Sequence, residues 1–149
     1  GEVADRVMKI MQEVQPDVVI TFGPDGISGH PDHKAISRAT TVAFEMLTES
    51  GNGPRKLYYV TIPESALTEI GNKDLDGIKT RPDDEVTTTI NVTAQLDTKI
   101  RALEAHSSQQ DARWLADMLR QAGETNWVGR ECLYLAIPKD PKKETDIFQ

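Results

Sequence analysis

The chain has little with which to cross-link itself, coat a nucleic acid or enter a membrane. Its 149 residues include one cysteine, Cys132, so an intrachain disulfide is excluded. That thiol lies in the apolar run Cys132-Leu133-Tyr134-Leu135-Ala136-Ile137, where a buried, inert sulfur is expected rather than a nucleophile. Lysines and arginines total 17 against 24 aspartates and glutamates, a formal charge of -7. This acidic balance, with no basic cluster, argues against a nucleic-acid partner. Lys139, Lys142 and Lys143 are interrupted by Asp140 and Glu144 and read as a solvated tail. No apolar stretch approaches the ~20 residues of a membrane span. The opening residues resemble no signal peptide, so a reducing, cytoplasmic setting is expected. The His-Glu-x-x-His pattern of zincin proteases is also absent, which disfavours a thermolysin-like enzyme.

What is present has the pattern of one globular domain. Val3, Val7, Ile10, Met11 and Val14 recur at helical spacing, which predicts a helix over 2–14 that Pro16 stops. Asp17 to Phe22 reads as a buried strand, and a second helix starts at Pro31, where a missing N–H costs nothing. Leu57 to Ile62, Thr87 to Val92 and Glu131 to Ile137 read as further strands. Residues 63–86 form a long excursion with a short helix near Ala66, suited to a lid or wall. Thr93 caps a helix through Leu96, Ile100 and Leu103. A last helix carries Trp114, Leu115, Met118, Leu119 and Ala122 on one stripe, which places Trp114 in the core. Strands alternating with helices predict an α/β, Rossmann-like fold with a mostly parallel sheet and flanking helices. The expected organisation is one domain portion over 1–137 and a polar tail over 138–149.

The most informative stretch is Gly29-His30-Pro31-Asp32-His33. The apolar run Val18-Val19-Ile20-Thr21-Phe22 leads through a glycine-rich loop, Gly23 to Gly29, into a helix beginning at Pro31. In open α/β sheets this junction, beyond the carboxyl end of a strand, is where ligands bind. Two of the three histidines sit there, spaced by three and so on roughly one helical face. A first-turn histidine, His33, can offer an imidazole nitrogen to zinc, whose catalytic sites keep three protein ligands and one open position. Asp32 can orient a neighbouring imidazole. The plainer reading of Gly-His-Pro-Asp is a polar loop with a helix cap.

The segment Val18 to His33, VVITFGPDGISGHPDH, closely resembles the LmbE-like (PIG-L) deacetylase family, which includes N-acetylglucosaminyl-phosphatidylinositol de-N-acetylases and deacetylases of mycothiol and bacillithiol synthesis. The resemblance continues through Arg81-Pro82-Asp83-Asp84-Glu85-Val86-Thr87-Thr88 and through Lys99 to Gln109, so it covers most of the chain. It implies that His33 is a zinc ligand. His30 would stabilise the oxyanion and protonate the leaving amine, with Asp32 as its supporting carboxylate. Amide hydrolysis needs an activated water, a base for its proton and an acid for the departing nitrogen, a task that suits a histidine.

In that family the remaining zinc ligands and the general base come from an Ala-His-Pro-Asp-Asp-Glu motif after the first strand. The motif is not in this sequence, so the chain is expected to be the C-terminal part of a longer protein, with the N-terminal strands of the fold missing and little activity alone. Pro82-Asp83-Asp84-Glu85 is no substitute: position 81 is arginine, and the segment follows a loop rather than a strand. Asp83 and Asp84 read as a solvated turn. Arg81 faces either an anionic group or solvent. His106, near a helix C-terminus, is assigned a structural role, and Trp127 a loop anchor, with a sugar platform as the alternative. Ser28 stands where some relatives carry an aromatic hydroxyl, so a substrate contact there would be shorter.

The expected function is that of a zinc-dependent hydrolase removing the acetyl group from an N-acetylated amino sugar or its conjugate. The partner is then a small molecule, with loops 63–86 and 123–130 deciding which one. The alternative is a non-catalytic α/β binding or assembly module, in which apolar surface left by missing strands favours a homo-oligomer.

Overall fold

A computed structural model describes residues 1–70, 77–122, 127–139 and 143–148. Its elements are α1 (Glu2–Val14), β1 (Val18–Phe22), a single turn α2 (Gly26–Gly29), α3 (Pro31–Glu49), β2 (Lys56–Thr61), α4 (Glu64–Ile70), β3 (Thr88–Asn91), α5 (Leu96–Ala105), α6 (Gln110–Ala122) and β4 (Arg130–Ile137). A 3-10 turn over Thr93–Gln95 leads into α5. Among the described residues no helix is long and apolar enough to cross a membrane.

The first half follows the sequence pattern. Gln15 adopts a left-handed conformation and donates its N–H to the Met11 carbonyl, which ends α1 just before Pro16. Met11 then packs with Ala43, Phe44 and Leu47 of α3 against Leu57 of β2, forming the core on one face of the sheet. Because α3 crosses that face, β1 and β2 are parallel, with Val18 opposite Lys56 and Phe22 opposite Val60.

The second half corrects the expected mostly parallel sheet. The strand order is β1-β2-β4-β3, and β4 runs antiparallel to both of its neighbours. Asn91 at the end of β3 lies opposite Arg130 at the start of β4, so the α5–α6 hairpin leaves and re-enters at one end of the sheet. Helices between strands are therefore an excursion here, not a crossover. Thr61 at the carboxyl end of β2 pairs with Cys132 near the start of β4. The hairpin thus stands at the same end of the sheet as the tips of β1 and β2, and that shared end holds the candidate site.

Two further differences come from long-range contacts. On α6 the buried residues are Ala112, Ala116 and Leu119, packed near Ile100 and Val128, whereas Trp114 is 43% exposed and outside the core. The segment after β4 is not solvated throughout. Glu144 pairs with Thr88, donating its N–H to the Thr87 carbonyl at 2.7 Å and accepting from the Thr89 N–H at 3.1 Å. Its carboxylate accepts hydrogen bonds from Lys56 Nζ (2.8 Å), from the fully buried Tyr58 hydroxyl (2.5 Å) and from Thr88 Oγ1 (3.4 Å). Ile147 packs beside Tyr58, Leu133 and Leu135 on this second face. Lys143 Nζ donates to the carbonyls of Asp84 and Val86. Asp140 and Lys142 of the expected tail lie outside the described residues, as do residues 71–76 and 123–126 of the two expected substrate loops.

Candidate active site at the carboxyl ends of the strands

The glycine-rich connection after β1 is an ordered cradle. Gly26 donates its N–H to the Gly23 carbonyl at 2.9 Å, and Asp25 Oδ1 accepts from the Ile27 N–H at 2.7 Å. Ile27 takes a φ of 60° and Gly26 one of 70°, so the chain turns sharply back toward α3. At Gly26 the absent side chain is a spatial requirement as well: a Cβ there would lie 3.0 Å from the Cβ of His33.

That close approach fixes the His33 ring. Its Nδ1 lies 3.0 Å from the Gly26 carbonyl oxygen, which can only accept, so Nδ1 carries the proton in this bond. Phe22, the last residue of β1, stacks on the other side with ring centroids 3.9 Å apart and planes 6° from parallel. The neutral imidazole therefore keeps an unprotonated Nε2, and the side chain lines the cleft at the strand ends. A backbone carbonyl holding one ring nitrogen while the other stays open is a common arrangement for a metal-ligating histidine.

His30 is held differently. It is the N-cap of α3, and its Nδ1 accepts from the Asp32 N–H at 3.2 Å, placing the proton of the neutral ring on Nε2. Its ring centroid is 5.1 Å from that of His33, and its side chain is 55% exposed. The Asp32 carboxylate is 3.9 Å from His30 Nδ1 and 90% exposed, beyond hydrogen-bond length.

The cleft encloses about 1160 Å³. It runs from Phe22 and His33, past Val60, Thr61 and Ile62 at the end of β2, to Trp114 and Trp127. Ser28 contributes to the wall near His33. Asp83 anchors the start of α4, accepting from the Ser65 hydroxyl at 2.8 Å and from its N–H at 3.3 Å. Cys132 is half-buried on the cleft wall, and burial pushes its thiol up, so the sulfur stays neutral. Arg81 bonds Glu85 at 2.5 Å, lies 4.2 Å over the Tyr134 ring and keeps 24% of its side chain exposed. His106 caps the C-terminus of α5 through its N–H to the Leu103 carbonyl, away from the cleft. Trp127 packs with the α5–α6 cluster and shows part of its surface to the cleft. The exposure of Trp114 and the long-range partners of Glu144 had no local signal in the sequence.

Residues 1–44, which contain β1, the cradle and both histidines, match the family described as PIG-L, GlcNAc-PI de-N-acetylase. Further similarity extends along the chain. A protein from Salinispora arenicola is 31% identical over 91% of this chain and 49% of its own length. One from Kineococcus radiotolerans is 35% identical over 72% of this chain and 36% of its own length. One from Rhodococcus jostii is 37% identical over 69% of this chain and 41% of its own length. Each is named 1D-myo-inositol 2-acetamido-2-deoxy-alpha-D-glucopyranoside deacetylase. The chain belongs to the PIG-L family.

It spans about half the length, or less, of the curated relatives it matches. The PIG-L resemblance implies zinc, and the donors of this chain fit that ion in part. With Nδ1 bonded to the Gly26 carbonyl, Nε2 is the nitrogen His33 could offer to a metal. Among the described residues no group of three His, Cys, Asp or Glu side chains converges on a metal position.

Proposed function

We propose that the full-length protein is a zinc-dependent N-deacetylase acting on an N-acetylated amino sugar or its conjugate. The observation that carries this reading is the His33 ring on the cleft wall, stacked on Phe22 and bonded through Nδ1 to the Gly26 carbonyl, which leaves Nε2 as its second nitrogen. The turn at Gly26 and Ile27, both at positive φ, brings the Gly26 carbonyl to Nδ1 and so fixes the proton there. The relatives' printed names, all deacetylases of an acetamido sugar joined to inositol, support an N-acetylglucosaminyl conjugate as the substrate.

When bound, the zinc ion would polarise the acetamide carbonyl and make a water more acidic. His33 would hold one of its coordination positions. His30, 5.1 Å from His33 between ring centroids, would donate a proton from its exposed ring to the departing amine as the amide C–N bond breaks. Acetate and the free amino sugar are the products. Asp32 would stabilise the imidazolium form of His30, its carboxylate lying 3.9 Å from Nδ1. The protein's setting is proposed to be the cytoplasm.

The test uses the full-length protein, with zinc measured by atomic spectroscopy and acetate release by a coupled assay. His33→Ala should lose metal, and His30→Ala should keep metal while losing most turnover, about 100-fold or more for removal of a general acid. Full zinc occupancy together with unchanged turnover in both variants would overturn the proposal.

A further inference from the structure

Ile27 is held in a backbone conformation that isoleucine avoids. Its φ and ψ are 60° and −58°, a region that a β-branched side chain enters only under constraint. Such torsions persist where the surroundings grip a residue from several sides, and they cluster where function needs the unusual geometry. Ile27 follows Gly26, whose carbonyl bonds His33 Nδ1. The Gly26 carbonyl and the Ile27 N–H belong to one rigid peptide plane, so whatever fixes that N–H also aims that carbonyl.

The hold on the N–H is Asp25 Oδ1, at 2.7 Å. In a trans peptide the N–H and C=O point opposite ways, so a carboxylate on one side turns the carbonyl toward His33 on the other. The second hold comes from the excursion after β2, where the Lys79 N–H donates to the Ile27 carbonyl at 2.5 Å. That segment is itself anchored. Arg81 donates its N–H to the Ile62 carbonyl at 2.9 Å and accepts from the Glu64 N–H at 3.0 Å. Asp25 is exposed, so the turn uses its acceptor oxygen rather than its packing.

We infer that Asp25 is a positioning residue for His33. Through the Gly26–Ile27 peptide its carboxylate fixes the ring tautomer that offers Nε2 to the metal, with the Lys79 N–H as the second hold on the turn. The inference rests on the deacetylase reading for the metal and adds the residue that sets the ligand's protonation.

The test reads the His33 ring directly, in zinc-free full-length protein carrying isotope-labelled histidine, at about pH 8 so that the imidazoles are neutral. Proton–nitrogen correlation spectra distinguish a ring protonated on Nδ1 from one protonated on Nε2, and His33→Gln assigns the signal. Wild-type His33 should carry its proton on Nδ1. Asp25→Ala should move it largely to Nε2 and weaken zinc by about tenfold, the lower end for a group that orients a metal-binding histidine. Asp25→Asn keeps an acceptor oxygen and should preserve both properties. Asp25→Ser, whose hydroxyl accepts more weakly in such turns, should show a partial shift and decides the matter where the alanine variant does not fold. Lys79→Pro removes the second hold and should move the ring the same way, whereas Lys79→Ala keeps the N–H and should change nothing.

A wild-type ring protonated on Nε2 would overturn the inference. So would an Asp25→Ala or Asp25→Ser ring still protonated on Nδ1, with zinc affinity within about twofold of wild type, whatever the melting temperature does. An Asp25→Asn loss as large as that of Asp25→Ala would overturn it too. Absence of zinc binding by the wild-type protein would instead remove the deacetylase reading, and the metal-free spectra would still decide the role of Asp25.

Discussion

Removing the Glu144 carboxylate should cost the protein about 3 kcal/mol of stability. The group accepts hydrogen bonds from Lys56, Tyr58 and Thr88, and the ion pair with Lys56 has side chains only 14% and 13% exposed. Breaking a buried pair from one side typically costs about 3–5 kcal/mol, because the partner is left charged and unpaired. The slight access of water to both groups places this pair at the lower end. With 149 residues the entropy of unfolding is about 0.3 kcal/mol/K, so Glu144→Ala should lower Tm by about 10 °C. Glu144→Gln retains an acceptor for Tyr58 and should lose about half as much.

The pH dependence has a definite sign. Burial alone would raise the Glu144 carboxyl, but the hydrogen bonds from Lys56 and Tyr58 outweigh it and hold the group below the usual carboxylate range. Its stabilising effect is then complete above that usual range and is lost as pH falls through the depressed value. For Lys56 burial acts downward, yet the bonds to Glu144 and Tyr58 hold its ammonium above the ordinary lysine value. That contribution is complete below the ordinary value and disappears as pH rises through the raised one. Urea denaturation followed by circular dichroism should show the Glu144→Ala penalty in full at neutral pH and shrinking in acid. A Tm within 2 °C of wild type, or a penalty that grows in acid, would refute the reasoning.

Three other outcomes follow from the site. Gly26→Ala places a Cβ against His33 at a φ of 70°, so it should cost about 1 kcal/mol and loosen zinc, read by melting and by metal content. An unchanged melt with full metal would mean the turn adapts freely. Cys132 should react slowly with iodoacetamide at pH 7, since burial keeps its thiol protonated, and Cys132→Ser should retain activity. Alkylation as fast as free cysteine would contradict that. Lys99→Met should leave Glu131 unpaired at the cleft wall and lower Tm by less than about 3 °C, because the pair is 32% and 46% exposed.

Local pattern carried most of the elements. The stripe from Val3 to Val14, the run from Val18 to Phe22 and the proline at position 31 each act through neighbours in sequence, and the helices and strands appear where they imply. Strand direction was not legible. A hydrophobic run looks the same read up or down the sheet, and only the return of β4 between β2 and β3 decides it. The α6 stripe was misread because alanine contributes little apolar signal while packing closely against α5, so the larger Trp114 drew the assignment inward. Glu144 offered no sign at all: a carboxylate among lysines and aspartates looks solvated until Tyr58, 86 residues away, is placed beside it. The histidines were found because their spacing, the proline and the preceding strand all act within one short segment. The way Gly26 sets the His33 tautomer needed coordinates, since φ and carbonyl direction are not written in residue type.

The two flanks of the sheet are unequal in a way that bears on handling the protein. Along β3 the backbone of Glu144 occupies hydrogen-bonding positions at Thr87 and Thr89, so part of that margin is covered. Along β1 no described strand lies beyond Val18–Phe22, and Ile20 is 46% exposed there. An added strand, whether from more of the same polypeptide or from a stray neighbour in a concentrated solution, finds unpaired backbone along β1. Aggregation through that edge should therefore be blocked by a lysine introduced at Ile20.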